Sequence, residues 1–218
     1  MAICTIYNRT AKKWINTGMP VSSGTMSYTE PIQGCANDCY FLAALSATAL
    51  AATTKLKVFP NYQFYDSIAK KWNSLQVGIE LAVDDGNNLV YASTSTGYIW
   101  PCLYEKAFAK WKSGQEQPDI KTVLNGGGPL SALQNICGGT VKDKQLLFNR
   151  SNRTVYPTVA KTINNPANGA LIPDHSYTIT RKSGTTGFEV RNPCGGSLIW
   201  VSSIDGSNFA DWGYVIPG

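Results

Sequence analysis

The chain of 218 residues is short of charge, has a single histidine and carries no long apolar run, and each shortage excludes something. Asp, Glu, Lys and Arg together make up 15% of it, well below the roughly 25% of an average domain. No apolar run approaches the roughly 20 residues that a membrane-spanning helix needs, so no membrane span is expected. Residues 1–25 lack the apolar block of a signal peptide, so such a peptide is expected to be absent or already removed. One histidine and no Cys-x-x-Cys pair exclude the usual structural zinc sites. The net charge of +5 comes from scattered residues such as Lys12, Lys13, Lys70 and Lys71. Without a basic patch interleaved with aromatics, nucleic acid is not an expected partner. Internal repeats and low-complexity segments are missing too.

Ser, Thr, Asn and Gly are abundant, and three N-x-S/T sequons begin at Asn8, Asn149 and Asn152. Both traits lean towards a secreted protein. Six cysteines do not settle the compartment: if Cys39 is a nucleophile, five remain, and at least one more is unpaired unless it bonds another molecule. The length is ample for a hydrophobic core.

The chain is organised around residues 33–52, QGCANDCYFLAALSATALAA. From Cys39 onward they are apolar or small, without Gly or Pro, which predicts a helix buried on most sides. Asp38 stands in the N-cap position. Cys39 then falls in the first turn, where free N–H groups and the helix dipole are expected to favour a thiolate and lower the thiol pKa.

Before that helix, residues 1–32 read as short strands and loops. After it, residues 62–65 read as a strand. Residues 79–83 alternate at period two, and the turn 84–88 returns residues 89–92 as the second strand of a hairpin. Trp100-Pro101 opens a second helix over residues 102–111, and a third is expected over 130–136, ended by Gly138 and Gly139. From Thr140 the pattern is β, with strands at 170–172, 175–181, 187–191, 198–201 and 212–216, and no helix beyond a turn near 159–163. The expected class is α+β: a helical lobe over residues 1–139 and a β lobe over 140–218.

Singly, Cys39, His175 and Asn192 each have an ordinary structural reading. Together they make a pattern. Gln33, six residues before Cys39, can fold its amide back beside the thiol and share an oxyanion with the Cys39 N–H. His175 opens one strand in DHSYTIT and Asn192 ends the next in VRNPCGG, so a hairpin turning at residues 183–187 brings the Asn192 amide to the imidazole. The order Cys, His, Asn suits acyl transfer by a sulfur nucleophile.

With these residues in view the chain resembles the protease core of the calpain family. QGCANDCYFLAALSA is similar to that family's Q-G-x-x-G-D-C-W-x-L-A-A, DHSYTIT to G-H-x-Y-S-V, VRNPCGG to R-N-P-W-G, and WPCLYEKAFAKW to W-P-x-L-L-E-K-A-Y-A-K. The likeness covers residues 30–208. It implies a papain-like two-lobed fold with the active-site cleft between the lobes, and a cysteine endopeptidase that hydrolyses peptide bonds through an acyl-enzyme. Cys39, His175, Asn192 and Gln33 are then catalytic, the substrate is protein or peptide, the chain is a monomer, and the compartment is cytoplasmic where composition points outside the cell. A transglutaminase-like acyltransferase and a non-catalytic peptide-binding module are the alternatives on the same fold. Tyr40, Asn37 and Cys194 depart from the pattern, Cys194 replacing the Trp that shelters the family's His–Asn bond.

The resemblance also raises calcium. The family core binds one ion in each lobe, and Glu30 and Glu116 fall where first-lobe carboxylate ligands are expected. In the second lobe Asp205 remains, while Ser207 stands where an acid is expected. Calcium takes 6–8 oxygen ligands, so carbonyls before Gln33 would have to complete the set. No cofactor is expected to be required, the lobes being held closed by packing of the short β lobe; calcium at Glu30 and Glu116 is the alternative.

Overall fold

The apolar run from Cys39 has no face to turn to water, and the computed structural model encloses it on every side. The structure describes residues 9–184 and 187–218. Helix α1, Cys39–Ala51, is buried continuously from Cys39 to Ala49. It lies between helices α2 (Trp100–Ser113) and α4 (Pro129–Cys137), strand β2 (Pro31–Ile32), and a sheet that it meets through β8 (Thr158–Thr162) and β9 (Ser176–Ser183). Small residues such as Ala43, Ala44 and Ala47 let the neighbours approach closely, and all three are fully buried or nearly so. Asp38 sits at the N-cap as expected, but its side chain makes no capping hydrogen bond. The carboxylate is buried instead.

Around the helices lie β1 (Lys13–Ile15), paired with β5 (Leu81–Val83), and the hairpin of β3 (Asn61–Asp66) and β4 (Lys71–Gln76). β2 pairs with the two-residue β6 (Ser93–Thr94), and one turn of helix, α3 (Ile120–Val123), follows α2. Phe41 stacks on Phe108 with ring centroids 4.3 Å apart, and Phe64 meets Phe108 edge-on at 5.2 Å, so α1, α2 and β3 share one aromatic core.

The second half is a six-stranded antiparallel sheet in the order β11-β10-β9-β8-β12-β7. Its other members are β7 (Thr140–Asp143), β10 (Gly187–Arg191), β11 (Leu198–Val201) and β12 (Phe209–Ile216). In β9, period-two alternation divides the faces. Thr178 looks towards α1 and its hydroxyl donates to the Ala43 carbonyl at 2.7 Å. Tyr177 and Ile179 enter a separate apolar cluster with Leu171, Val190, Val201 and Phe209.

Several expectations are corrected. Residues 159–162 belong to the strand β8, not to a helical turn; the apolar positions satisfy either period over so short a run. Residues 170–172 form no strand, and Leu171 instead plugs the second cluster from a turn. Residues 89–92 return beside β5 with only the isolated bridge from Val83 to Leu89 and the Val90 N–H donating to the Ala82 carbonyl at 3.2 Å, while β1 pairs along the other edge of β5. The predicted turn at 183–187 includes two residues outside the described ones, but the strands on either side pair as expected, Gly187 opposite Ser183.

Candidate active site

β9 and β10 place His175, just before β9, opposite Asn192, just after β10. Their side chains meet: His175 Nε2 lies 2.8 Å from Asn192 Oδ1. The backbone N–H of Cys194 reaches the same Oδ1 at 2.8 Å. A backbone N–H can only donate, so that amide atom is the oxygen, and Nε2 must carry the proton it donates. In the neutral ring Nδ1 is then the bare nitrogen, free to act as a base. The His175 main chain is fixed by Thr162, whose hydroxyl accepts from the His175 N–H at 2.9 Å. Both members of the pair are only 6% exposed, so the pair stays dry without the Trp that Cys194 replaces.

Cys39 is also 6% exposed, and its thiol lies beside the N–H and hydroxyl of Ser176, the residue after His175. No hydrogen bond joins it to the imidazole among the described residues. Burial pushes the thiol above its ordinary pKa; the Ser176 N–H opposes this, the Asp38 carboxylate adds to it, and the Ser176 hydroxyl and Tyr40 N–H oppose it further. The expectation of a lowered thiol pKa is therefore overturned: helix-end donors are outweighed by the loss of water and by an adjacent acid. Burial also lowers the His175 pKa, against the raising effects of the Asn192 bond and the Asp174 charge. Both shifts favour a resting site of neutral thiol and neutral imidazole.

Gln33 is buried, and its side chain folds over the loop before α1, with Nε2 donating to the Ala36 carbonyl at 2.8 Å. Its backbone N–H donates to the Pro193 carbonyl at 2.9 Å, which ties the loop to the segment after Asn192. Gly34 follows because nothing larger fits: a Cβ there would lie 1.8 Å from the Tyr91 carbonyl oxygen.

Glu30 and Glu116 are not brought together by any contact. Glu30 is buried; Oε2 accepts from Trp100 Nε1 at 2.6 Å and from the Ser27 N–H at 2.7 Å, and Oε1 from the Thr96 hydroxyl at 2.6 Å. Glu116 pairs with Lys110 and accepts from the Gly78 N–H at 3.0 Å. Both carboxylates are already occupied, and among the described residues no three His, Cys, Asp or Glu side chains are placed to hold an ion. These residues do not fit a calcium site as they stand. Asp205 binds the Ser207 N–H and hydroxyl at 2.9 and 2.6 Å, closing its own turn.

Sequence reasoning missed three features here. Asp38 and Glu105 form a buried acid pair beside Cys39, each with its pKa raised by burial; the only written signal is an acid inside the apolar face of α2. Arg191, next to Asn192, is fully buried, and a lone cation in an otherwise apolar strand end was the clue. Cys194 is disulfide-bonded, whereas Cys39, Cys102 and Cys137 are free thiols; Cys4 lies outside the described residues.

A mixed helix-and-sheet fold, with a cysteine opening a buried helix near a bonded His–Asn pair, has the outline of a cysteine protease. The sequence model of the calpain family cysteine proteases matches residues 9–202, and the chain belongs to that family. It is 29% identical to rat calpain-13 over 68% of its length and 25% of that protein. It is 27% identical to calpain clp-4 of Caenorhabditis elegans, over 81% of this chain and 29% of the relative. With the chicken calpain-2 catalytic subunit the identity is 24% over 89% of this chain and 32% of the relative. The chain thus spans a quarter to a third of the length of these three relatives. No helix among the described residues is long and apolar enough to cross a membrane.

Proposed function

We propose that this chain is a cysteine endopeptidase acting as a monomer on protein or peptide substrates, with Cys39, His175, Asn192 and Gln33 as its catalytic residues. The observation that carries the reading is the buried His175–Asn192 hydrogen bond, which leaves Nδ1 as the free base at the start of β9, beside the helix that Cys39 opens. In this reading residues 1–139 and 140–218 are the two lobes of a papain-like fold, and substrate enters between them.

His175 Nδ1 takes the thiol proton as the Cys39 sulfur bonds the scissile carbonyl carbon. The oxyanion that forms is held by the Cys39 N–H, which has no helical partner, and by the Gln33 amide, which keeps one N–H beyond its bond to Ala36. The intermediate collapses as the imidazolium gives its proton to the leaving amine, and a thioester remains. His175 then removes a proton from water, which attacks the thioester and releases the carboxylic acid and the thiol.

The test is labelling by a peptide-derived electrophile, with the modified residue located by mass spectrometry. One-to-one modification at Cys39, with parallel loss of peptide hydrolysis, supports the reading. Modification at Cys35, Cys102 or Cys137 while hydrolysis continues contradicts it.

Asn192→Ala should lower kcat by roughly one to three orders of magnitude, as expected for one positioned group among several. The Asn192 bond raises the His175 pKa, so the acid limb of the rate profile should also move to lower pH. A full-strength variant with an unmoved limb would mean that another group orients the ring.

Hydrolysis in this reading needs no calcium, since Glu30 already serves Trp100, Thr96 and Ser27 as an internal acceptor. Activity should be unchanged in excess chelator, and Glu116→Gln should leave it within about twofold, because an exposed ion pair is worth little. An all-or-none calcium requirement would overturn this.

A further inference from the structure

Arg191 has no evident reason to be where it is. Its side chain is fully buried, yet its hydrogen bonds go only to neutral oxygens. Nη1 donates to the Ser46 hydroxyl at 3.0 Å, and Nη2 to the carbonyls of Thr29 and Pro31 at 2.8 and 2.7 Å. Nε is buried with no partner, and no carboxylate stands within ion-pair distance among the described residues. Burial lowers its pKa to about 10, against an opposing interaction with Tyr28, so the group stays cationic at neutral pH. A buried cation without a counter-ion is a poor way to gain stability, and a packed apolar side chain would serve better. What a guanidinium offers is a rigid planar fork that can fix several acceptors at once.

The three acceptors stand on the segments that carry the catalytic groups. Ser46 is on α1, two turns after Cys39. Thr29 and Pro31 flank Glu30 in the segment that runs into Gln33. Arg191 itself precedes Asn192. Even the turn beyond makes room, since a Cβ on Gly196, at φ +73°, would come within 3.2 Å of Nη2.

We propose that Arg191 is a positioning residue that holds the Gln33 segment in register against the Cys39 helix, so that the Gln33 amide meets the carbonyl under attack beside the Cys39 N–H. This rests on the protease reading above. It concerns register rather than the reactivity of the thiol, and that distinction makes it testable. Alkylation by iodoacetamide needs the thiol and its base but no oxyanion donors. Peptide hydrolysis needs all of them.

The experiment compares parent, Arg191→Lys, Arg191→Met and Ser46→Ala by steady-state hydrolysis and by the rate of iodoacetamide alkylation at Cys39. Misplacement of about 1 Å costs on the order of 10²-fold, so both Arg191 variants should lose about 10- to 100-fold in kcat, with KM within about threefold. Their alkylation rates should stay within about threefold of the parent's. Ser46→Ala, which removes one of three acceptors and leaves the cation in place, should lose about three- to tenfold in kcat by the same argument. It also covers the case in which the Arg191 variants fail to fold. Full kcat in folded Arg191→Lys and Ser46→Ala overturns the proposal alone, as does alkylation that falls in step with hydrolysis. A parent inert in both assays overturns the protease reading, and this proposal with it.

Discussion

Replacing Cys39 or His175 by alanine is expected to abolish hydrolysis of an unfolded protein substrate, with a loss of roughly 10⁴- to 10⁶-fold, as when a nucleophile or its base is removed from a hydrolytic triad. The resting groups are both neutral, so neither can substitute for the other: without the imidazole the thiol keeps its proton, its pKa having been raised by burial. The fold should survive both changes. Cys39→Ala removes one buried sulfur from a helix that is otherwise unchanged, and the His175 main chain stays bonded to Thr162 on both sides. Asn192 Oδ1 keeps the Cys194 N–H when the ring is gone. The measurement is substrate cleavage in reducing buffer, with circular dichroism as the check on folding. A Cys39→Ala chain that cleaves as well as the parent would remove the mechanism altogether.

The parts of this molecule that were legible in advance are those specified by local pattern. α1 could be read because fourteen residues without Gly or Pro and without a polar face leave few alternatives to a buried helix. β10 and β11 could be read to the residue, bounded as they are by turn-forming Asn, Pro and Gly. β8 could not, since Thr158–Thr162 is short and apolar enough to fit either period. The pairing of β1 with β5 was invisible too, because nothing near Lys13 in the chain indicates a partner 70 residues away.

The site divides along the same line. His175 and Asn192 could be placed together from sequence because a hairpin joins them, and their separation follows from register alone. Arg191 lies beside Asn192 in the chain, but its meaning resides in Thr29, Pro31 and Ser46, which only the packed fold brings within reach. The thiol pKa was misjudged for a related reason. The helix end is a local feature and was visible, while the depth of burial and the acid pair beside it are tertiary facts.

That acid pair sets the last expectation, that the fold loses stability as pH rises through neutrality. Asp38 and Glu105 are 0% and 1% exposed. Glu105 Oε2 accepts from the Ala92 N–H at 2.8 Å, while among the described residues Oε1 and both Asp38 oxygens have no other donor. Two carboxylates in such a place keep a proton between them. Burial raises the Asp38 pKa from 3.8 to about 7, against the lowering effect of its bond to Glu105, and raises that of Glu105 as well. A folded pKa above the unfolded one means stability that is fully present below about pH 4 and is lost as pH rises through about 7. At about 1.4 kcal/mol per unit, Asp38 alone accounts for up to ~4 kcal/mol between those limits. For a chain of this size that is a fall in Tm of roughly 10 °C between pH 4 and pH 8. His175 acts in the opposite sense, its lowered pKa costing stability as pH falls, but it is common to parent and variant and cancels in the comparison. Asp38→Asn combined with Glu105→Gln removes both titrations and leaves an amide pair able to bond itself and the Ala92 N–H. Its Tm should be nearly level over the range in which the parent's declines. Thermal melts across that range decide the matter: parallel slopes for parent and double variant would mean that the two acids hold no proton between them.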